Sequence, residues 1–241
     1  MTTTEKFLSI KNNEIHVTNL ISETESDTNI TRHNKIDLHL DLDLADLFNK
    51  HGSDKDRNGY SHLYSILFDR IKNNELHVLE IGIGTMVEGA SSSMKGYMPD
   101  TYKPGASLRA WQDYFKNSKI YGMDIQPDTQ FKEDRIETHI CDTTDVNKVN
   151  EVMKKLNIEF DIIVDDGWHW DEAQKKTLTN FFPYLKDGGI YIIEDIYPGS
   201  GISQSPNVIK EIIGKNEYFF VGLKNNQCVI RKKKINATGF C

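Results

Sequence analysis

The chain has 241 residues, 38% of them hydrophobic and 27% charged, enough for one full-sized globular core and too short for two large ones. Its 36 acidic against 29 basic side chains give a formal net charge of -7, a field that repels phosphate backbones and anionic lipid surfaces, so nucleic acid and membrane are set aside as partners. No stretch approaches the roughly 20 uncharged apolar residues of a membrane helix, and residues 1–6 lack the basic-then-apolar order of a secretory leader, so a cytoplasmic location is expected.

Phe7-Leu8-Ser9-Ile10 and Glu14-Ile15-His16-Val17 alternate apolar and polar about Lys11-Asn12-Asn13, as a half-buried hairpin requires. An isolated hairpin is marginal in water and must pack on something; a second copy of the chain in a homo-oligomer is one candidate. Residues 22–34 are polar, so residues 1–40 read as a hairpin and linker ahead of a main domain over 41–241. Leu38, Leu40, Leu42, Leu44 and Leu47 fit both alternation and a helical stripe, and the run before Gly52 favours a helix with a glycine stop. Near-continuous apolar runs at 77–81, 119–123, 160–164 and 189–193 predict strands covered on both faces, and a further short strand is predicted at 136–140. Helices are predicted between them at 108–115, 146–156 and 171–185. Runs at 217–223 and 228–231 flank Asn225-Asn226 and predict an antiparallel hairpin. The fold class is therefore α/β, a Rossmann-like three-layer sandwich with a mostly parallel sheet, a closing C-terminal hairpin and a small N-terminal one. Cys141, Cys228 and Cys241 are far apart and cannot all pair, which predicts free thiols and no zinc.

In an open parallel sheet, ligands bind beyond the carboxyl ends of the strands where strand order reverses. Gly82 and Gly84 follow the first predicted strand of the main domain and let a turn approach a nucleoside closely. Val87 stands where a dinucleotide fingerprint has its third glycine, while Asp124 ends the next strand, where a carboxylate can take both ribose hydroxyls. That pairing favours an adenosyl ligand over a dinucleotide; the plainer alternative is a tight turn with Asp124 as a cap. Asp142, after the 136–140 run, is placed either for the adenine end or as a cap for the segment from Thr143. Asp165-Asp166 and Glu194-Asp195 end two further strands. If those strands are neighbours, the crowded carboxylates repel and raise one another's pKa unless a divalent cation such as Mg²⁺, Mn²⁺ or Ca²⁺ joins them. His169 lies three residues past Asp166 and titrates near neutrality, so it is the candidate base, with a hydrogen-bonded turn histidine as the alternative. Trp168 and Trp170 are placed to wall an acceptor pocket.

These residues resemble a known family. Glu80-Ile81-Gly82-Ile83-Gly84 with Asp124 is similar to the cofactor motif of class I S-adenosylmethionine-dependent methyltransferases. Gly52-Ser53-Asp54-Lys55 with His62 and Tyr64, the run from Pro104 through Trp111, Val164-Asp165-Asp166-Gly167-Trp168-His169 and Ile193-Glu194-Asp195 resemble the metal-dependent sugar O-methyltransferases of macrolide glycosides, the mycinamicin III and tylosin types. The resemblance spans residues 44–199. It implies that Asp166, Glu194 and Asp195 hold Mg²⁺, that His169 with Asp166 is catalytic, and that Glu80, Gly82, Gly84, Ser107, Arg109, Asp124, Asp142 and Asp165 surround S-adenosylmethionine. Residues 86–103 read as an inserted mobile loop, and the N-terminal segment is shorter than a mycinamicin III-type auxiliary domain. Trp168 stands where relatives often carry a small residue, and it and the 86–103 loop fall where acceptor selection would occur.

The implied reaction is metal-assisted methyl transfer to a sugar hydroxyl, on a glycoside or nucleotide-activated sugar of a bacterial polysaccharide or natural product. Catechol or phenol methylation, a non-catalytic S-adenosylmethionine-binding subunit and, less favoured, a nicotinamide dehydrogenase are the alternatives.

Overall fold

A computed structural model describes residues 5–11, 14–20, 43–91, 93–197, 206–213, 218–221 and 226–232. The polar linker at 22–34, the leucines before residue 43, Ser92, Asn225, Lys233, Lys234 and Cys241 lie outside them.

The described residues form one ten-stranded sheet. In chain order its strands are β1 (Glu5–Lys11), β2 (Glu14–Leu20), β3 (His77–Ile81), β4 (Lys119–Asp124), β5 (Lys132–Glu133), β6 (Ile136–Ile140), β7 (Phe160–Asp165), β8 (Leu185–Ile193), β9 (Tyr218–Val221) and β10 (Cys228–Lys232). Their lateral order is β2-β1-β9-β10-β8-β7-β3-β4-β6-β5. From β6 through β4, β3 and β7 to β8 every pairing is parallel, and β10 runs antiparallel to both β8 and β9. The chain builds outward from β3 to β4 and β6, then crosses back to β7 and β8. The order therefore reverses between β3 and β7, and that is where a ligand cleft opens in such sheets. The expected N-terminal hairpin is present, with Leu8 opposite Val17, and β1 lies parallel beside β9 with Leu8 opposite Val221.

Successive strand residues face opposite layers, as the two-residue period of a strand requires. Val78, Ile120, Ile162 and Ile190 pack on one side with α1 (Asp43–His51), α2 (Ser61–Phe68) and α3 (Ala106–Tyr114). Leu79, Tyr121, Ile163 and Tyr191 pack on the other with α4 (Val146–Leu156), α5 (Asp171–Phe181) and α6 (Pro206–Ile213). The helix predicted over 171–185 stops at Phe181 and tightens into a 3-10 turn at Phe182–Tyr184, because Pro183 has no N–H with which to continue it. The strand predicted from residue 189 begins at Leu185. The added residues include Gly188, and the pairing with β7 carries a register shift between Phe160 and Ile162. Cys141 and Cys228 are buried free thiols.

The first layer centres on Trp111, fully buried, with Phe48, Tyr64, Phe68 and Phe115 at ring-centroid distances of 4.9, 5.0, 6.1 and 5.8 Å. Its indole N–H donates to Glu80 at 2.7 Å, so the same residue that fills the core also fixes a carboxylate under the cleft.

At the layer's margin, Asp113 of α3 accepts from Lys50 at 2.7 Å and contacts His51 at 2.8 Å, tying α1 to α3. The hydrogen bonds from Lys50 and His51 hold its carboxyl below the usual range. A depressed carboxylate stabilises above its unfolded pKa, and the gain is lost as pH falls through the lower folded value. Asp113→Asn is therefore expected to lower Tm by a few degrees at neutral pH and to converge on the wild type at an acid pH below the lowered folded value. Calorimetry at the two pH values checks this.

Candidate active site

Four strand ends converge on the reversal point. After β3 the chain turns through Gly82 and Gly84, both in the left-handed region at φ 77° and 78°. The Gly82 backbone sits so close to the end of β7 that a Cβ there would lie 2.0 Å from the Asp166 carbonyl oxygen. A glycine is required at this contact, as the close approach of a nucleotide-binding turn demands.

Two cavities adjoin at Gly82, Ser91 and Asp124. One, about 290 Å³, lies over the ends of β3, β4 and β6 and is lined among others by Met123, Ile125, Cys141, Asp142 and Trp168. The other, about 550 Å³, is lined by Lys55, Tyr60, Asp166, His169, Glu194, Asp195 and further polar side chains. Asp124 sits at the boundary. Its carboxylate accepts from the backbone N–H of Ile83 at 3.0 Å and of Gln126 at 2.9 Å, which leaves lone pairs for a ligand. Burial raises its pKa despite those bonds. One oxygen of Asp142 accepts from Thr144 N and Oγ1, and the residue lines the smaller cavity. The cap of α4 is Asp145.

β7 and β8 are neighbours, and their ends meet as expected. His169 Nε2 lies 3.1 Å from Asp166 Oδ1 and 3.4 Å from Asp195 Oδ2. The three side chains offer ligand atoms all within 4.8 Å of one another. Asp195 adopts φ 52°, a strained value for a side chain-bearing residue, and its other oxygen accepts from Tyr60. Burial alone would lower the His169 pKa, but the hydrogen bond and charge of Asp166 and the charge of Asp195 push it up to about 9. Against burial, Lys55 and His169 hold the Asp166 carboxyl well below the usual range.

Glu194 stands apart from that group. It is fully buried, with Oε2 on the Lys55 ammonium at 2.5 Å and Oε1 accepting from Tyr64. The carboxylate crowding at the strand ends is thus met in this structure by a buried lysine, which also reaches Asp166 Oδ2 at 2.7 Å and Glu80 Oε1 at 3.1 Å. Burial would lower the Lys55 pKa, yet Asp166, Glu194 and Glu80 raise it well above the ordinary value and keep it charged.

Several residues expected around the cofactor face elsewhere. Glu80 is taken by Ser107 at 2.8 Å, by Trp111 and by Lys55, so Glu80 and Ser107 support the cleft from within and do not line it. Asp165 is buried, accepts from Gly167 N and Tyr191 Oη, and is pushed by burial up to about 7. Arg109 is drawn away by a two-nitrogen contact to Glu133, the Pro104 carbonyl and the Phe131 ring. Trp168 lines the smaller cavity, not the larger one, and Trp170 lines neither. The 86–103 segment is pinned by Met94 N to Thr85 O at 2.8 Å and contributes Ser91, Ser93, Met94 and Tyr97 to the larger cavity.

Lys55, Tyr60 and Tyr197 have no place in the sequence reading of the site. Lys55 appears there only inside the Gly52-Ser53-Asp54-Lys55 motif, because its partners lie 111 and 139 residues away. The one available signal was the placement of that motif, with Tyr64, ahead of the first parallel strand.

No family model matches the chain. Demethylmacrocin O-methyltransferase of Streptomyces fradiae is 33% identical over 173 residues, 68% of this chain and 39% of that protein. Mycinamicin VI 2''-O-methyltransferase of Micromonospora griseorubida is 31% identical over 172 residues, with the same coverages of 68% and 39%. A tetracenomycin-C rhamnosyl 3'-O-methyltransferase of Streptomyces olivaceus is 34% identical over 166 residues, 66% and 39% of the two chains. The chain thus spans about two fifths of the length of these curated relatives. The solved MycE methyltransferase from the mycinamycin biosynthetic pathway, in complex with Mg and SAH, has a TM-score of 0.63 at 24% identity, covering 83% of this chain and 56% of that one. At 33% identity over 68% of its length the chain belongs to the family of these macrolide and tetracenomycin sugar O-methyltransferases, and its fold is that of the class I S-adenosylmethionine-dependent methyltransferases.

Proposed function

We propose that the chain transfers a methyl group from S-adenosylmethionine to a sugar hydroxyl of a small molecule, with a divalent cation at the acidic strand ends. The observation that carries this is His169 seated between Asp166 and Asp195 in the larger of two adjoining cavities. The relatives point the same way: those named above methylate sugars of glycosides, and the MycE structure holds Mg with SAH.

The donor set fits the ion. The carboxylates of Asp166 and Asp195, with ligand atoms within 4.8 Å of each other beside a polar cavity with room for water or acceptor oxygens, suit Mg²⁺ or Mn²⁺. Asp166 and Asp195 would hold it, and Glu194 would join them where the ion takes the place of the Lys55 ammonium. Bound there, such an ion supplies Lewis acidity that lowers the pKa of an acceptor hydroxyl.

The chain's own side chains do the rest. Asp124 and Asp142 line the smaller cavity with free carboxylate lone pairs for the ribose and adenine of the donor, and Trp168 and Ile125 supply apolar surface. Gly82 brings the β3 turn to the boundary between the cavities, so donor and acceptor meet there without an intervening side chain. His169 is the proposed base: in its deprotonated form it takes the hydroxyl proton, and the carboxylates of Asp166 and Asp195 beside Nε2 favour the imidazolium that results. The acceptor cavity is polar, with Asp54, Asn58, Ser93 and Asp195 around Tyr97 and Tyr197. That lining favours a hydroxyl-rich ring over a catechol, and a glycoside or nucleotide-activated sugar with adjacent hydroxyls is the proposed acceptor.

The test is methyl transfer from labelled S-adenosylmethionine across a panel of glycosides, nucleotide-activated sugars and catechols, with and without EDTA. EDTA-sensitive transfer to a sugar is expected. Transfer confined to catechols, or undiminished by EDTA, contradicts the proposal.

A further inference from the structure

Lys55 is only 2% exposed, and its ammonium contacts carboxylates from the ends of three strands: Glu80 of β3, Asp166 after β7 and Glu194 after β8, at 3.1, 2.7 and 2.5 Å. A buried ammonium is costly unless its charge is matched, and here three carboxyl groups surround one cation. Asp166 is shared: Oδ2 faces Lys55 and Oδ1 faces His169. The lysine enters on the loop between α1 and α2, whose fold is held by Ser53 N to Phe48 O at 2.9 Å and Tyr60 N to Lys55 O at 2.8 Å. A single side chain from outside the sheet therefore partly neutralises the same carboxylates that a divalent ion would.

We propose that Lys55 is the resident counter-cation of the acidic strand ends, a positioning residue that keeps the carboxylates assembled and competes with a divalent ion for their charge, thereby setting how tightly that ion is held. The inference rests on the metal reading given above. Its physical basis is electrostatic: two positive charges within a few ångströms repel, the more strongly because Lys55 is buried. Glu80 sharpens the point. It lies outside the Asp166, His169 and Asp195 group and touches Lys55 directly, so removing its charge leaves the ammonium less balanced and more repulsive.

The two substitutions must therefore act with opposite sign. Mn²⁺ binding to the full chain, followed by electron paramagnetic resonance, is expected to tighten by about tenfold or more in Lys55→Met and to weaken by about tenfold in Glu80→Gln. A merely structural role for Lys55 would loosen the site in both variants and weaken binding in both. Lys55→Met that binds Mn²⁺ no tighter than wild type overturns the proposal. Should that variant fail to fold, Glu80→Gln binding Mn²⁺ as tightly as wild type overturns it instead. Absence of Mn²⁺ binding in wild type and both variants refutes the metal reading itself, and the role of Lys55 with it, an outcome distinct from binding that ignores Lys55.

Discussion

Replacing His169 with glutamine is expected to lower methyl transfer by about a hundredfold to ten-thousandfold, the range for removal of a general base. The side chain amide preserves hydrogen bonding toward Asp166 and Asp195 but cannot accept a proton near neutral pH. Donor binding should survive, since the smaller cavity is built from Gly82, Asp124, Asp142 and their neighbours and does not include residue 169. Stability should change little, because the imidazole is partly exposed and both of its carboxylate partners keep other donors, Lys55 and Tyr60. The informative pattern is a fall in kcat at an unchanged S-adenosylhomocysteine Kd, read by single-turnover kinetics and calorimetry. A kcat within about threefold of wild type would remove His169 from the chemistry.

The second large effect concerns backbone. Gly82→Ala places a methyl group 2.0 Å from the Asp166 carbonyl oxygen, 2.6 Å from its carbon and 2.8 Å from Gly167 Cα, all main-chain atoms that cannot rotate away. The left-handed φ of 77° adds a penalty of about 1–2 kcal/mol for any residue with a Cβ. Together these are expected to cost about 3–5 kcal/mol, in the range reserved for strain at special backbone positions, and to lower Tm by about 10 °C or more. Relief requires β3 and β7 to part at their carboxyl ends, which displaces Asp166 from Lys55 and His169 and opens the boundary between the cavities. Loss of S-adenosylhomocysteine affinity should therefore accompany the fall in Tm. A variant with wild-type Tm and affinity would show that the turn is not packed as described.

The sequence reading succeeded where one local pattern decides one element. The strands at His77–Ile81 and Ile136–Ile140 and the helix at Val146–Leu156 fall on their predicted residues. The first strand is buried on both faces, and the helix is bracketed by an Asp145 cap and a left-handed Asn157. The helix Ser61–Phe68 went unpredicted because Ser61, Leu63, Tyr64, Ser65 and Phe68 are all buried, so no clean polar face marks it. At the site, the acidic strand ends were legible because position in a parallel sheet fixes where they meet. The division of labour among them was not: Glu194 turns to Lys55 and Tyr64, while His169 joins Asp166 and Asp195. Which carboxylate meets which cation depends on a loop over a hundred residues away in sequence. Arg109 illustrates the same limit, since Glu133 and Phe131, which draw it from the cleft, lie on a neighbouring edge of the fold.

Crystals of the chain grown with Mn²⁺ and S-adenosylhomocysteine, measured at the manganese absorption edge, test the central claim most directly. The account predicts an anomalous peak bounded by Asp166 and Asp195, adjacent to His169, with the nucleoside over Asp124 and Asp142. A nucleoside in that cavity with no peak at the acidic strand ends, or a peak elsewhere on the chain, would contradict it.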